Sequence, residues 1–382
     1  MKTLKYSIVV FLLLTLLKGC IEPYEPKNVQ STAGVLVVEG MLLEDAPTVI
    51  KLSRTISLDQ SKYLPVVADV SVLNTQGDRL PIPSSDVEGT YILDAFTFEP
   101  EEKYALDIRI GSEHYQSSFE APIYTPQIDS VGFIYKKEDL EVDIYVSTHD
   151  AENKLHYYRW LFEEDWEVKT SFFAEVRWDP EKRDTIAGLT FSDPRNRFFC
   201  WANGRSNAFL LGNSERLSQA VIKDKVLHTI KYGDYHLSSL YSILVKQYAL
   251  SDEAYNYFRN LQKNIDEAGS IFAPQPTEME GNIRNLSNSS EPVIGYFSVV
   301  RETRKRLYIS ATDAYGMIPH ENCDIPADEK LTSMADAYYK GYGIKEVEPR
   351  GRITYAPFRC VDCTTIGGAS KKRPAFWPND HY

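Results

Sequence analysis

Apolar and polar residues alternate with a period of two along many short stretches of this chain. Ile50 and Leu52 alternate with Lys51 and Ser53, and residues 104–110 and 140–146 repeat the pattern. This period gives a strand one buried face and one wet face, whereas a helix repeats every ~3.6 residues. Turn-forming residues, such as Glu88-Gly89, separate the stretches. The sequence therefore predicts a mostly β protein built from β-sandwiches.

Two prolines mark the expected boundary between two tandem β-sandwich-like domains. Pro122 and Pro126 flank a short extended piece, and alternation resumes after it. The 382 residues, 43% of them hydrophobic, suffice for two cores. We predict an N-terminal immunoglobulin-like or prealbumin-like sandwich at 35–122 and a second β-rich domain at 127–318. Residues 156–162 are apolar or amphipathic on both faces, which indicates a central strand of the second domain.

One segment of the second domain departs from the β pattern. Ser251 can cap a helix, and Asp252 and Glu253 suit its positive end. Apolar residues then recur on one face at helical spacing until Gly269. We predict an inserted α-helix over about 251–268 that packs against the second sheet. Its apolar face consists of Ala254, Phe258, Leu261, Ile265 and Ala268.

Three polar stretches are predicted to be turns or loops. Asn203-Gly204 is the strongest hairpin pair in the chain and predicts a hairpin over 200–211. The basic run 301–306 is interpreted as a solvated hairpin tip, and the acidic run 163–167 as an exposed loop after a strand. From 319 to 382 the alternation weakens, which predicts an irregular, cysteine-containing tail packed on the second domain.

The first twenty residues have the layout of a secretory leader. Lys2 and Lys5 precede an apolar run at 8–17, which is too short to span a bilayer. The run leads to Gly19-Cys20, and this order resembles the lipobox of bacterial lipoproteins. The resemblance implies that residues 1–19 are a signal peptide, that Cys20 is acylated and binds the lipid bilayer, and that residues 20–34 form an anchor and tether.

Residues just after Cys20 bear on location. Ile21 stands where an Asp would resemble an inner-membrane retention signal, so we expect the outer membrane. Glu22 and Glu25 are similar to the acidic export signals of surface lipoproteins, which favours a chain that faces the cell exterior.

The charge balance excludes one class of partner. Without Lys2, Lys5 and Lys18 of the leader, 39 basic residues stand against 54 acidic ones. A general nucleic-acid-binding surface would need positive charge to displace counterions, so no nucleic-acid partner is expected.

Four cysteines remain besides Cys20, and we expect them to form disulfides in an oxidising compartment. A four-cysteine zinc site and a redox role for the C-x-x-C pair are the alternatives. Four thiols allow three pairings, and the sequence does not choose between them. The candidates are Cys200, Cys323, Cys360 and Cys363.

Catalytic motifs are absent from the sequence. It contains no HExxH, GxSxG, Walker or GxGxxG pattern, and its seven histidines are scattered. We therefore predict no catalytic, cofactor-binding or metal-binding residues. A hydrolase with a carboxylate pair from distant positions is kept as an alternative, because such a pair leaves no motif. Trp166, Trp178 and Trp201 are the predicted ligand contacts, since loop aromatics can stack on sugars or cover apolar ligands.

Two family resemblances follow from longer combinations. Residues 67–72, Gly89-Thr90-Tyr91 and Tyr104-Ala105-Leu106 resemble the prealbumin-like, carboxypeptidase-regulatory type of sandwich. A wider set of motifs over nearly the whole mature chain resembles the lipoprotein family catalogued as domain of unknown function four-two-four-nine. The motifs are Leu36-Val37-Val38-Glu39-Gly40, Leu52-Ser53-Arg54-Thr55, Lys246-Gln247, Gly281-Asn282-Ile283, Gly295-Tyr296-Phe297-Ser298, Cys360-Val361-Asp362-Cys363, Gly367-Gly368 and Phe376-Trp377.

The wider resemblance implies a partner and no chemistry. Members tend to be encoded beside TonB-dependent outer-membrane transporters of the SusC type, and no catalytic residues carry over. We therefore expect a non-enzymatic accessory or substrate-binding partner of such a transporter, acting on a small ligand such as a glycan, a peptide or another nutrient. The alternative is a structural or adhesive lipoprotein of the cell envelope.

Overall fold

The computed structural model describes residues 34–56, 64–267, 281–314, 317 and 322–378. The predicted signal peptide 1–19, Cys20 and nearly all of the predicted tether lie outside the described residues. Strands account for 45% of the structure and helices for 10%, which confirms the mostly β prediction.

Two mainly antiparallel β-sheets pack together in the first unit. One has the order β21-β1-β3-β4 with β7 beside β3, and the other has the order β20-β9-β8-β5-β6. Their inward side chains form one core, in which Ile50, Leu52, Leu106 and Ile108 are fully buried. Their strands are β1 Leu36–Glu39, β3 Thr48–Arg54, β4 Leu64–Pro65, β5 Asp69–Asn74, β6 Arg79–Pro81, β7 Thr90–Leu93, β8 Tyr104–Ile110, β9 Glu113–Ser117, β20 Ile283–Asn285 and β21 Val293–Ile294. A separate small sheet has the order β10-β22-β2, with β2 Leu42–Leu43, β10 Ile123–Tyr124 and β22 Val299–Arg301.

A second pair of sheets forms the second unit. One has the order β11-β12-β18, and the other has the order β16-β13-β19-β23 with β17 also on β13. Trp160, Ile144 and Tyr241 are fully buried between the two sheets. The predicted central strand is confirmed, because β13 pairs with β16, β17 and β19. Their strands are β11 Ile128–Lys136, β12 Glu141–His149, β13 Tyr157–Lys169, β16 Phe199–Arg205, β17 Leu210–Asn213, β18 Val221–Lys231, β19 Leu240–Leu250 and β23 Thr303–Ser310. A separate two-stranded sheet consists of β14 Arg177–Asp179 and β15 Asp184–Ile186.

The chain returns to the first unit after building most of the second. β21 lies parallel to β1, and β20 pairs with β9. Ile283, Val293 and Phe297 belong to the core of the first unit. Residues 283–299 therefore complete the first sandwich, which differs from the sequence-based division that assigned them to 127–318. Short-range alternation does not specify which sheet a strand joins, because the partner is set by tertiary contacts.

Two glycines and an asparagine fix this return. The Asn282 side chain donates to the carbonyl of Phe297 and accepts from its N–H, each at 2.8 Å. A Cβ on Gly281 would lie 1.8 Å from the carbonyl oxygen of Gly295, and Gly295 itself has φ +154°. Both positions therefore require glycine, which gives a physical reason for two of the family motifs.

One long helix, whose N-terminal half is buried and whose C-terminal end is exposed, lies beside the second unit. α1 spans Asp252–Glu267, and the Ser251 hydroxyl accepts the N–H of Ala254 at 3.1 Å, so the predicted helix and its cap are confirmed. Ala254 and Phe258 are buried, whereas Ile265 is 54% exposed. The predicted apolar face thus packs only through its first half; Ala268 lies outside the described residues.

Three local predictions were wrong. Asn203-Gly204 lies inside β16, and β16 and β17 both pair with β13 instead of with each other. Gly204 serves packing there, since a Cβ would lie 2.7 Å from Oε1 of Glu164. The basic run 301–306 lies mainly in β23, and the acidic run 163–167 lies in the middle of β13. In each case pairing with neighbouring strands overrides the local turn or loop preference.

Disulfides and backbone hydrogen bonds hold the tail, which contains short helices and strands. The disulfides are Cys200–Cys363 and Cys323–Cys360, which confirms the disulfide prediction and selects one of the three pairings. Trp201 and Ser370 exchange two backbone hydrogen bonds of 2.8 Å. The tail elements are α2 Met334–Tyr339, β24 Tyr342–Val347, β25 Ile353–Pro357 and α3 Phe358–Val361.

Candidate functional site

A cleft of about 890 Å³ lies between the two units. Residues 37–43 supply the wall on the first unit, β13 and β19 supply the opposite wall, and α1 closes one side. Ligand pockets in proteins are concave and mostly apolar, and their volumes are about 300–1,000 Å³. The cleft has the size and position of such a pocket. Its apolar lining includes Val38, Phe209, Tyr257, Phe258, Leu261 and Ile265.

Arg159 is the unusual side chain of the cleft. It lies in β13, and its guanidinium carbon is 4.5 Å from the ring centre of Phe258 and 5.7 Å from that of Phe209. Its Nε is buried without a hydrogen-bond partner. Among the residues that the structure describes, the Arg159 side chain has neither an ion pair nor a hydrogen bond. The guanidinium therefore stacks on aromatic rings while the donors at its edge are unused.

Arg159 is half-buried, and the burial of its Nε–H without a partner is unfavourable. Burial lowers the pKa of Arg159, whereas Tyr248 and Glu39 act in the opposite direction. Stacking on aromatic faces contributes about 0.5–2 kcal/mol. A buried donor left unsatisfied costs about 1–3 kcal/mol, and more when it is charged. The stacking thus offsets only part of the cost, and an anion in the plane of the guanidinium would remove the rest.

Two of the three carboxylates that line the cleft are already paired. Lys246 Nζ lies 2.5 Å from Oε1 of Glu163. The side chain of Glu302 is 4% exposed, accepts the Tyr248 hydroxyl at 2.6 Å and pairs with Arg304. These contacts occupy Glu163 and Glu302. The third carboxylate, Glu39, is exposed and favours the charged form of Arg159 from beyond ion-pair distance.

The three predicted tryptophan contacts lie elsewhere. Trp166 packs on His236 with ring centroids 3.9 Å apart, and Trp201 is buried beneath Lys371. Trp178 is half-buried in β14. None of the three lines the cleft. Sequence reasoning missed Arg159 because a lone arginine in an amphipathic strand carries no motif; its one signal was a charge within the otherwise largely aromatic stretch 156–162.

A second polar cluster surrounds Glu164 inside the second unit. Glu164 is 7% exposed and accepts the Tyr241 hydroxyl at 2.7 Å. His228 Nε2 and His236 Nε2 lie 3.4 and 3.7 Å from its carboxylate. Burial opposes ionisation, but His236 and Tyr241 outweigh it, so the pKa of Glu164 lies below its usual value of 4.5. Burial also lowers the pKa of His228 from 6.5.

This cluster predicts a loss of stability at low pH. Unfolded His228 binds its proton at a higher pH than folded His228, so the free energy of unfolding should fall as the pH drops below about 6.5. Glu164 adds a further loss as the pH falls through its lowered folded pKa. Urea unfolding at pH 7.5, 6 and 5 measures this slope, and His228→Gln should flatten it between pH 7.5 and 5.5.

His149 is the matched control for that measurement. Its hydrogen bond to Asp129 raises its pKa from 6.5, so its stabilisation is present at low pH and is lost as the pH rises. His149→Gln should therefore steepen the acid-side slope. Equal slopes for the two variants would contradict the assignment of the pH dependence to burial of His228.

The two buried acids of β13 do not face each other as a carboxylate pair would. Glu164 and Glu167 are the buried acids of β13, but their spacing of three places them on opposite faces of the strand. Within the described ranges, no three His, Cys, Asp or Glu side chains are grouped to hold a metal ion. Over the same ranges, no helix has the length and apolar composition needed to cross a membrane.

The fold and the cleft define a mostly β protein of two interlocked units with a ligand-sized space between them. A family model described as "Domain of unknown function (DUF4249)" matches residues 21–306. The match covers well over half of the 382 residues, so the chain belongs to the DUF4249 family, as its motifs indicated. No curated protein matches the chain.

Proposed function

We propose that this protein is a non-enzymatic, surface-exposed outer-membrane lipoprotein that holds a small ligand for a TonB-dependent transporter. The observation that carries the proposal is the cleft between the two units, with its aromatic lining and its unpaired Arg159. In this proposal Cys20, which follows the leader, is acylated and anchors the protein. The transporter is proposed as the partner because the family resemblance implies it.

The construction of the cleft supports capture of a ligand. Its walls come from rigid strands of both units and from a capped helix, so the side chains are held in place before binding. Preorganised walls reduce the entropy lost when a ligand binds. Apolar surface with few polar groups is the usual composition of a small-molecule site.

The proposed partner is tested by affinity purification of the tagged lipoprotein from detergent-solubilised membranes. We expect a β-barrel transporter to co-purify with the full-length protein. We expect Cys20→Ala, which cannot be acylated, to leave the membrane fraction and to lose the barrel. Recovery of the membrane-bound lipoprotein without any barrel would overturn the partnership.

A deletion strain distinguishes ligand capture from the adhesive alternative. Deletion of the protein should slow growth when the transported nutrient is limiting and leave surface attachment unchanged. Normal growth together with poor attachment would support the structural or adhesive alternative and count against ligand capture.

A further inference from the structure

We infer that the cleft selects a ligand with a carboxylate and an apolar body, in which the carboxylate pairs with Arg159 and the body lies against Phe209, Phe258 and Leu261. This inference rests on the proposed ligand-holding function and names the chemistry of the ligand. No sequence motif indicated it.

Arg159 contacts aromatic rings and keeps its hydrogen-bond donors free of the other described residues. Its guanidinium carbon lies over two aromatic rings, 4.5 and 5.7 Å from their centres, while its N–H donors have no partner among the described residues. Stacking on a face leaves the in-plane N–H donors available. A carboxylate matches two of these donors at once, and such charge-assisted pairs are the strongest hydrogen bonds that proteins form.

The charged side chains that line the cleft favour an anionic ligand. The cleft is lined by five basic side chains and three acidic ones, in a chain whose net charge is −12. Glu163 and Glu302 are already paired with Lys246 and Arg304. A cationic ligand would therefore find no free buried carboxylate among the described lining residues, whereas an anion finds Arg159.

The apolar lining of the cleft indicates an apolar body for the ligand. Tyr257, Phe258 and Leu261 present apolar surface along α1, and Ile265 is 54% exposed at the end of this surface. The planar guanidinium offers two in-plane donors, which match the two oxygens of one carboxylate. The favoured ligand is thus an aromatic or aliphatic acid, either free or at the carboxyl terminus of a short apolar peptide.

The probes distinguish the head group and its source. Isothermal titration of the full chain uses 4-phenylbutanoate, its neutral counterpart 4-phenylbutan-1-ol, and the tripeptide Ala-Leu-Phe with a free or an amidated carboxyl terminus. We expect the two free carboxylates to bind at least about tenfold more tightly than their neutral counterparts, which corresponds to about 1.4 kcal/mol. A preference for 4-phenylbutanoate or for the free tripeptide assigns the source.

Variants at Arg159 test the contact itself. Arg159→Met should weaken 4-phenylbutanoate about tenfold or more and leave 4-phenylbutan-1-ol within about twofold. Arg159→Lys keeps the charge but loses the planar pair of donors, so its loss should be intermediate. Arg352→Met removes an exposed arginine of the tail and should change nothing. The melting temperature of ligand-free Arg159→Met should equal or exceed that of the wild type, because a buried N–H without a partner is removed.

The outcomes separate this inference from the proposed function. Equal binding of acid and alcohol, or an unchanged affinity in Arg159→Met, overturns the role of Arg159 but leaves a ligand-holding cleft. Failure of every probe to bind overturns the inference, whereas co-purification with the barrel still tests the partnership. A lower melting temperature for ligand-free Arg159→Met would show that Arg159 is structural and would also overturn the inference.

Discussion

Replacement of Cys200 and Cys363 by alanine is expected to lower the free energy of unfolding by about 4–5 kcal/mol. The bond joins residues 163 positions apart, so its removal releases a long loop in the unfolded chain. Both cysteines are fully buried and pack with Val168, Ala202 and Ile366, so the tail also loses its attachment to β16. Urea unfolding of the oxidised protein and the double variant measures the difference.

The second disulfide is the control for this effect. Cys323 and Cys360 are 37 positions apart. Loop entropy grows with the logarithm of loop length, so replacement of this pair by alanine should cost about 1 kcal/mol less. A larger loss from the shorter loop would contradict the loop-entropy explanation and would assign the stabilisation to local packing of the tail.

Gln247→Met is expected to lower the free energy of unfolding by about 3 kcal/mol. Gln247 is fully buried, and its amide accepts the indole N–H of Trp160 at 2.8 Å. Its Nε2 donates to the carbonyl of Pro126 and to the hydroxyl of Thr148, each at 3.0 Å. Methionine fills the space but leaves these buried groups without this partner, and each loss costs about 1–3 kcal/mol.

Gln219→Met provides the comparison for this substitution. Gln219 is exposed, so the same change should stay within about 0.5 kcal/mol of the wild type. Chemical unfolding measures both variants. A loss below about 1 kcal/mol for Gln247→Met would show that the amide is not needed to join β19 to the connection at Pro126.

The sequence predicted those parts of the fold that depend on local pattern. Alternation located strands such as β3, because one face of this strand is buried and the other is exposed or half-buried. Ser251 predicted the start of α1, because a capping hydroxyl satisfies a free N–H of the first turn.

The rest depended on contacts between distant residues. The acids of β13 looked solvent-exposed, yet Tyr241, His228 and His236 converge on Glu164 from other elements. The pairing of Cys200 with Cys363 likewise required the fold. Arg159 became conspicuous only when the absence of a carboxylate within ion-pair distance could be seen among the described residues.

Because β20 and β21 come late in the chain, the first-synthesised unit stays unfinished until most of the second has been made. β1 and β9 each lack a neighbour until about residue 294 has been made, so both keep an open edge throughout most of synthesis and export. Open strand edges are templates for association with other chains. A fragment ending at residue 122 should therefore aggregate, and the nascent chain should depend on protection until its two units interlock.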